Sequence, residues 1–375
     1  MTPTPPAHLP VLMDVPLAPL TTVGCGGKAR WLLRVDSAEA ARDALVWCED
    51  AGLRSWVLGG GSNVLIADLG LDGLVLQPAA SRREIVVKGA DAVEVRVEAG
   101  HDWDALVAWA AAQGLAGIEC LSGIPGRVGA APIQNIGAYG QNVSDSLVAV
   151  EALDCATGEV RLWPAEECGF SYRDSVFKRA AAGRFLVTAL TLRLRTDGRP
   201  TLAYPELRRR LGVGDRPNGG LPGLLKVREA VLELRRSKGM VMDAADPDSR
   251  SAGSFFLNPV LEHGAAAAVE ARLADSLRAG ESMPSWRQDP VDGRAVTKLS
   301  AAWLIEHCGM AKGYGEGPVG LSRKHTLAIV NRGGATTRQV LAFAGHVQQR
   351  VQQTCGVSLQ REPVLLGPDA EEPLS

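Results

Sequence analysis

The sequence predicts a mixed α/β fold, and three observations carry that prediction. Short β-type runs alternate with amphipathic helical stripes along most of the chain. Hydrophobic residues make up 46% and charged residues 22%, a globular balance that argues against global disorder. Glycine is over-used, at 42 of 375 residues or about 11% against an average of roughly 7%. No three-residue glycine period exists, so the surplus belongs to loops that need glycine's backbone freedom rather than to a collagen-like repeat. At roughly 100–200 residues per domain, the length suggests two or three domains.

The elements follow from local patterns. Residues 31–35 read as a strand. Ser37 then offers an N-cap to a helix whose stripe is Ala40, Ala41, Ala44, Leu45 and Cys48, ending near Gly52. A second strand at 55–58 and a third at 64–67 flank Gly59-Gly60-Gly61-Ser62-Asn63. Residues 85–98 alternate as strands around Gly89, and Asp102 caps a helix that Gly114 stops. The stretch 121–139 has little periodicity. Strands resume at 147–153, 159–163 and 185–195, and 212–223 reads as a linker or exposed loop. Helices are expected near 224–237, 265–278 and 299–308, with a strand at 326–331. A long helix over 336–354 carries Val340, Ala344, Val347 and Val351 on one face and stops at Gly356. A strand at 362–366 closes the ordered part, and the acidic tail 368–375 is expected to be mobile.

Bulk features exclude several functions. A net charge of −2 gives no reason to expect a nucleic-acid partner. The basic run Arg208-Arg209-Arg210 reads as a solvated helix face; the shorter cluster of Arg235, Arg236 and Lys238 suits either solvent or a phosphate. No run of 18 apolar residues spans a bilayer, and the first ten residues lack a secretory pattern. Seven widely spaced cysteines without a C-x-x-C fit free thiols in a reducing cytosol, so a cytoplasmic location is expected. No ligand spacing among the six histidines indicates a metal.

The glycine loops are the informative features. Gly24-Cys25-Gly26-Gly27-Lys28-Ala29 matches G-x-G-x-x-A, but it follows Pro16 and Pro19 and runs into a strand, so its context argues against a Rossmann site. No P-loop motif is present. Gly59-Gly60-Gly61 can turn its N–H groups toward one point as an anion nest, with Ser62 and Asn63 adding side-chain donors and acceptors; the plainer reading is a wide hairpin turn. Gly123, Gly126 and Gly129 recur every third residue around Pro125, followed by small residues up to Gly140, a surface on which an extended ligand can lie against backbone. A buried irregular connection is the alternative, and its backbone groups would need partners.

Taken together, Val57 to Leu65 and Gly123-Ile124-Pro125-Gly126-Arg127-Val128-Gly129-Ala130-Ala131-Pro132-Ile133-Gln134-Asn135-Ile136-Gly137-Ala138-Tyr139-Gly140 resemble the UDP-N-acetylenolpyruvoylglucosamine reductase (MurB) family. Further motifs follow in that family's order: Phe170 to Ser175, Ala252 to Pro259, Ser322 to His325, and Glu362. The resemblance covers about residues 17–367. It implies a three-region flavoprotein of the vanillyl-alcohol-oxidase-like superfamily, not a Rossmann fold. The expected division is 1–79 (joined by 363–375) and 80–224 as FAD-binding subdomains, with 225–362 as the substrate-binding domain. It implies non-covalent FAD, NADPH as hydride donor, and reduction of the enolpyruvyl ether of UDP-N-acetylglucosamine to UDP-N-acetylmuramate for peptidoglycan. A small-molecule substrate, no nucleic acid, no membrane span and a monomer are the expected partners and state. Leu202-Ala203-Tyr204-Pro205-Glu206-Leu207 resembles the loop of the family's tyrosine-loop subtype.

The resemblance also assigns residues. FAD contacts are expected from Gly59, Gly60, Gly61, Ser62, Asn63, Gly123, Ile124, Gly126, Gly129, Ala130, Gln134, Asn135 and Gly137. Ser254 is the expected proton donor, and Arg173 with Glu362 the pair that holds the substrate carboxylate and stabilises the enolate. Tyr204, Lys238, Asn258 and Lys312 are expected substrate contacts, with Tyr139 bordering the nicotinamide and substrate pocket. Each also has an ordinary reading: a turn cap for Ser254, a plain salt bridge for Arg173 and Glu362, surface residues for the rest. His325 falls in a motif without an assigned role. Pro363 stands where the family has a β-branched residue; proline cannot donate to a sheet, which puts the strand's pairing there in question. Two other functions compete: an FAD-dependent oxidase or dehydrogenase of the same superfamily acting on an alcohol or sugar, and a non-catalytic nucleotide-sugar binder.

Overall fold

The computed structural model describes residues 3–179, 183–214, 220–277, 281–291 and 294–368. The expected mobile tail therefore lies largely outside the described residues, as do residues 215–219 of the expected linker. The chain divides into two compact units. The first comprises Met1–Val15, Lys28–Gly61 and Leu71–Val241; the second comprises Pro16–Gly27, Ser62–Gly70 and Met242–Ser375. The boundary expected at 224/225 falls inside the first unit, because the helix Leu224–Ser237 belongs with it.

The first unit holds two sheets. One has the order Leu12–Pro16, Lys28–Val35, Leu71–Pro78, Arg54–Val57. Its central strand, Leu71–Pro78, escapes a sequence reading: with Leu71, Leu74, Val75 and Leu76 all buried it lacks alternation, as an inner parallel strand does. Gly73 lets it approach its neighbour, since a Cβ there would strike the Arg54 carbonyl. The helix Ala38–Asp50 packs Ala41, Ala44, Leu45 and Cys48 into the core, and Ser37 accepts the Ala40 N–H at 3.1 Å. The other sheet is antiparallel, in the order Val160–Pro164, Leu147–Asp154, Phe185–Arg195, Ala92–Glu98, Arg83–Lys88. The helix Trp103–Ala112, capped by Asp102, belongs to the core that backs this sheet.

The second unit is built around the helix Thr337–Cys355, whose buried Val340, Ala344, Val347 and Val351 form the predicted stripe. Thr336 caps its start and Gly356, at φ 78°, ends it. The core also takes Phe255, Phe256 and the helix Ala301–His307. The hairpin Ser285–Val291/Arg294–Leu299, joined by Val260–Glu262, is unforeseen by the sequence reading. Short strands Val64–Ile66 and Val364–Leu366 pair in parallel. The Rossmann-like glycines serve packing here: a Cβ on Gly27 would collide with the backbone of Asp68 and Gly70. Among the described residues, no helix is long and apolar enough to cross a membrane.

Candidate functional site

In the first unit, the two glycine loops meet. A Cβ on Gly60 would sit 2.5 Å from the Gly126 Cα, and one on Gly59 would sit 3.2 Å from the Ala130 Cβ. Gly129 is equally constrained, 2.5 Å from the Ala99 Cβ. Among the described hydrogen bonds, none is donated by the backbone N–H of Gly59, Gly60 or Gly61, while the Gly59 carbonyl accepts Gln77 Nε2 at 3.4 Å. A half-buried loop with several N–H groups left over can serve as an anion-binding cradle, which is compatible with the diphosphate of the expected cofactor. The longer segment satisfies most of its own backbone instead. Val128–Ala130 forms a 3-10 turn, Val128 N–H bonds the His101 carbonyl at 2.9 Å and Gly129 N–H bonds the Ala99 carbonyl at 2.9 Å. Its lack of periodicity therefore reflects tight turns and not unmet backbone groups.

Two anchors fix this segment. The Gly123 N–H donates to Asp104 at 2.6 Å, and Arg228 grips the same carboxylate through two bonds of 2.6 Å each. Burial raises the Asp104 carboxyl, but Arg228 and the Gly123 N–H outweigh it and hold the carboxyl below its ordinary value. Farther along, Asn135 Nδ2 donates to the Ser171 carbonyl at 3.1 Å and its Oδ1 accepts the Ser144 N–H at 3.2 Å. Arg173 reaches the same stretch, donating to the Asn135 and Gly137 carbonyls at 3.3 and 2.5 Å. Asn135, Tyr139 and Arg173 take φ of 46°, 50° and 56°, and Asp14 is the other described non-glycine residue with a positive φ. Left-handed backbone at bulky residues persists only where the surroundings impose it, and it clusters at functional sites.

A polar cluster lies next to this segment, within the same unit. The rings of Tyr139 and Tyr204 meet edge-on at 5.4 Å. Lys238 Nζ sits 5.8 Å from the Tyr139 ring centre and donates to Glu206 at 2.7 Å. Burial pushes the Tyr139 phenol up to about 12, and burial with the Glu206 charge raises that of Tyr204, so both are neutral hydrogen-bond donors at neutral pH. Arg235, one helical turn before Lys238, donates to the Met240 carbonyl at 2.8 Å, while its buried Nε has no hydrogen-bond partner among the described residues. Burial lowers its guanidinium to about 10, which leaves it charged at neutral pH. The sequence reading allowed this cluster a phosphate role but did not single out Arg235 or Glu206. The i, i+3 spacing of Arg235 and Lys238, which puts both on one helix face, is the signal that marks Arg235.

In the second unit, 254–257 runs beside 360–362. Glu362 N–H bonds the Phe255 carbonyl at 3.0 Å, and Leu257 N–H bonds the Gln360 carbonyl at 2.9 Å. This pairing sets Glu362 opposite Phe255, the residue that follows Ser254 in the chain, while Phe255 and Phe256 anchor the segment in the core. Gly253, at φ 73°, makes the turn before Ser254. Glu362 is buried, and its carbonyl accepts Asn63 Nδ2 at 3.4 Å. The last strand begins at Val364 and not at Glu362. Pro363 stands just outside it, where a missing N–H costs no ladder bond, and Val364 N–H still reaches the Asn63 carbonyl at 3.0 Å.

The remaining expected contacts are more dispersed. Asn258 Oδ1 accepts the Ala301 N–H at 3.0 Å, so that side chain already holds a helix start. Lys312 is exposed on a glycine-rich loop whose Gly313 N–H bonds the Ser322 carbonyl at 3.1 Å. The Ser322 to His325 motif builds a braced turn. Arg323 pairs with Asp248 and Lys324 with Asp246, while Ser322 Oγ accepts the N–H groups of Lys324 and His325.

Comparison with known proteins gives consistent findings. Residues 29–162, which contain both glycine loops, match the family model described as FAD binding domain. Residues 246–366, which contain Ser254 and Glu362, match the one described as UDP-N-acetylenolpyruvoylglucosamine reductase, C-terminal domain. The chain is 47% identical over 356 residues to the UDP-N-acetylenolpyruvoylglucosamine reductase of Thermobifida fusca, covering 94% of this chain and 97% of that one. The protein of the same name from Saccharopolyspora erythraea is 46% identical over 354 residues, covering 93% and 94%. Among solved structures, the UDP-N-acetylenolpyruvylglucosamine reductase (MurB) of Thermus caldophilus superposes with a TM-score of 0.62 at 26% identity, covering 96% of this chain and 99% of that chain.

Proposed function

The chain belongs to the UDP-N-acetylenolpyruvoylglucosamine reductase family, and on that premise we propose how its residues divide the work of the reaction. The protein is an FAD-dependent oxidoreductase that uses NADPH to reduce UDP-N-acetylglucosamine enolpyruvate to UDP-N-acetylmuramate. Bound FAD would supply hydride transfer between NADPH and the enolpyruvyl double bond. Gly59, Gly60 and Gly61 would hold its diphosphate, together with Ser62 and Asn63. Gly123, Ile124, Gly126, Gly129, Ala130, Gln134, Asn135 and Gly137 would form the remaining bed.

Hydride addition builds negative charge beside the substrate carboxylate. Arg173 offers a planar cationic fork for that carboxylate, and its left-handed backbone aims a side chain already aligned on the Asn135 and Gly137 carbonyls. Glu362, buried, is assigned to the enolate that forms beside that carboxylate. Ser254 delivers the proton to the carbon next to the carboxylate. Tyr204, Lys238, Asn258 and Lys312 bind the nucleotide sugar, the tyrosine and lysines at its diphosphate, and Tyr139 borders the pocket shared with the nicotinamide. The observation that supports this reading is the backbone pairing of Phe255 with the buried Glu362, which runs the segment carrying Ser254 along the last one.

We assign the chain to the tyrosine-loop subtype, which the Tyr139–Tyr204 edge contact supports. The expected three-region division goes with that assignment. The protein is proposed to act as a cytoplasmic monomer in peptidoglycan precursor synthesis, and so in cell-wall biogenesis, cell shape and division. The test of the assigned roles is Ser254→Ala. Flavin bleaching by NADPH is expected to stay near normal, and flavin recovery on adding the enolpyruvyl substrate to slow by about 10² to 10⁴. Equal losses in both half-reactions contradict the role given to Ser254.

A further inference from the structure

A buried carboxylate away from the proposed chemistry ties together the two segments that present Tyr139 and Tyr204. Glu119 is 1% exposed and has no basic side chain on its carboxylate among the described hydrogen bonds. Three N–H donors surround it instead: the Gly117 backbone at 2.7 Å, the Thr201 backbone at 2.7 Å and Gln141 Nε2 at 3.2 Å. Thr201 lies three residues before Tyr204, and Gln141 lies two residues after Tyr139. One carboxylate therefore joins stretches 22 and 82 residues away in sequence.

Gln141 completes the knot. Only 3% exposed, it donates to Thr201 Oγ1 at 3.1 Å as well, and its Oε1 accepts the Cys120 N–H at 2.9 Å. The Cys120 thiol donates to the Thr201 carbonyl at 3.2 Å, so Thr201 is held by its N–H, its hydroxyl and its carbonyl. Beyond the knot, the hairpin turn at Gly140 lies against the next residues of the same segment. A Cβ there would sit 3.0 Å from the Ala203 Cβ. Gly140 has φ of 82° and the preceding Tyr139 has φ of 50°. The Tyr139–Tyr204 edge contact is the outer end of this assembly.

We propose that Glu119 is a positioning residue for substrate recognition: with Gln141 it fastens the Tyr204 segment to the Tyr139 hairpin and so fixes the Tyr204 phenol that meets the nucleotide-sugar diphosphate. This rests on the reading of Tyr204 as a substrate contact. A carboxyl group suits the place because its two oxygens accept from all three donors at once. A glutamine there would turn an N–H₂ group toward one of those donors and leave it unmet.

The test is a double-mutant cycle on the FAD-loaded enzyme. Glu119→Gln is expected to raise KM for the enolpyruvyl nucleotide sugar by about ten- to hundredfold. The rate of flavin bleaching at saturating NADPH is expected to stay within about threefold, a separation that general loosening of the fold does not give. In a Tyr204→Ala background, the same substitution is expected to change KM by less than about twofold, because the group it positions is gone. A rise of equal size in both backgrounds, or no rise in either, overturns the proposal. If Glu119→Gln does not fold, Thr201→Val removes only the hydroxyl from the knot. It is expected to raise KM about three- to tenfold in the native background and not in the Tyr204→Ala one, and equal effects again overturn the proposal. Should Tyr204→Ala alone leave KM unchanged, the reading of Tyr204 fails and the proposal falls with it. That outcome is told apart from failure of Glu119 alone, in which Tyr204→Ala raises KM and Glu119→Gln does not.

Discussion

The glycine bed of the first unit and the Ser254–Glu362 segment of the second are built on opposite principles. In the bed, side chains are removed so that backbone can approach backbone, and Gly60 against Gly126 leaves no room for even a methyl group. In the second unit, backbone is paired with backbone so that the segment carrying Ser254 lies along the one carrying Glu362, with Phe255 and Phe256 as anchors. The first arrangement suits a large ligand bound by N–H groups and shape. The second suits proton transfer, where an ångström of misplacement is costly. Damage should therefore separate: changes to the bed should cost cofactor, and changes to the paired segment should cost chemistry.

The largest separation is expected from Ser254→Ala, which should retain FAD at the wild-type ratio of visible to protein absorbance while losing the second half-reaction as described above. Gly60→Ala should do the reverse. Overpacking costs roughly 1–3 kcal/mol, so FAD should bind about five- to hundredfold more weakly, as read by titrating FAD into stripped protein. Protein saturated with excess FAD should then recover much of its substrate half-reaction. Gly59→Ala, which meets the Ala130 Cβ at 3.2 Å and not a backbone atom, should be milder.

The smallest expected effect concerns the anchor beneath the bed. Asp104→Asn keeps the shape but loses the charge gripped by Arg228, and since both side chains are partly solvated it should cost about 1–2 kcal/mol. The sign with pH follows from the shift. The Asp104 carboxyl lies below its unfolded value, so its contribution is fully present above that value, near pH 4, and fades as pH falls through the folded one. Urea melts should show the full deficit of the variant at pH 7 and a shrinking one toward pH 3. A deficit that grows on acidification contradicts the anchor.

The same contrast explains what is legible in the sequence. A backbone-built site leaves a trace in composition: Gly59 to Gly61 and Gly123 to Gly140 stand out by glycine content, although Gly24 to Gly27 does too and serves packing. Capped, periodic helices such as Ala38–Asp50 and Thr337–Cys355 are equally plain. Inner strands are not, since Leu71–Pro78 is buried on both faces and lacks alternation. Glu119 and Gln141 are invisible to pattern reading because their partner Thr201 is distant in the chain. Arg173, Ser254 and Glu362 have no local signature either, and only resemblance to a family marks them.

The most direct test is the visible spectrum of the purified protein taken through both half-reactions. We predict a yellow protein that NADPH bleaches without oxygen and that UDP-N-acetylglucosamine enolpyruvate recolours stoichiometrically. A protein that takes up no FAD, or one whose reduced flavin is reoxidised by oxygen but not by the enolpyruvyl substrate, would contradict the assignment.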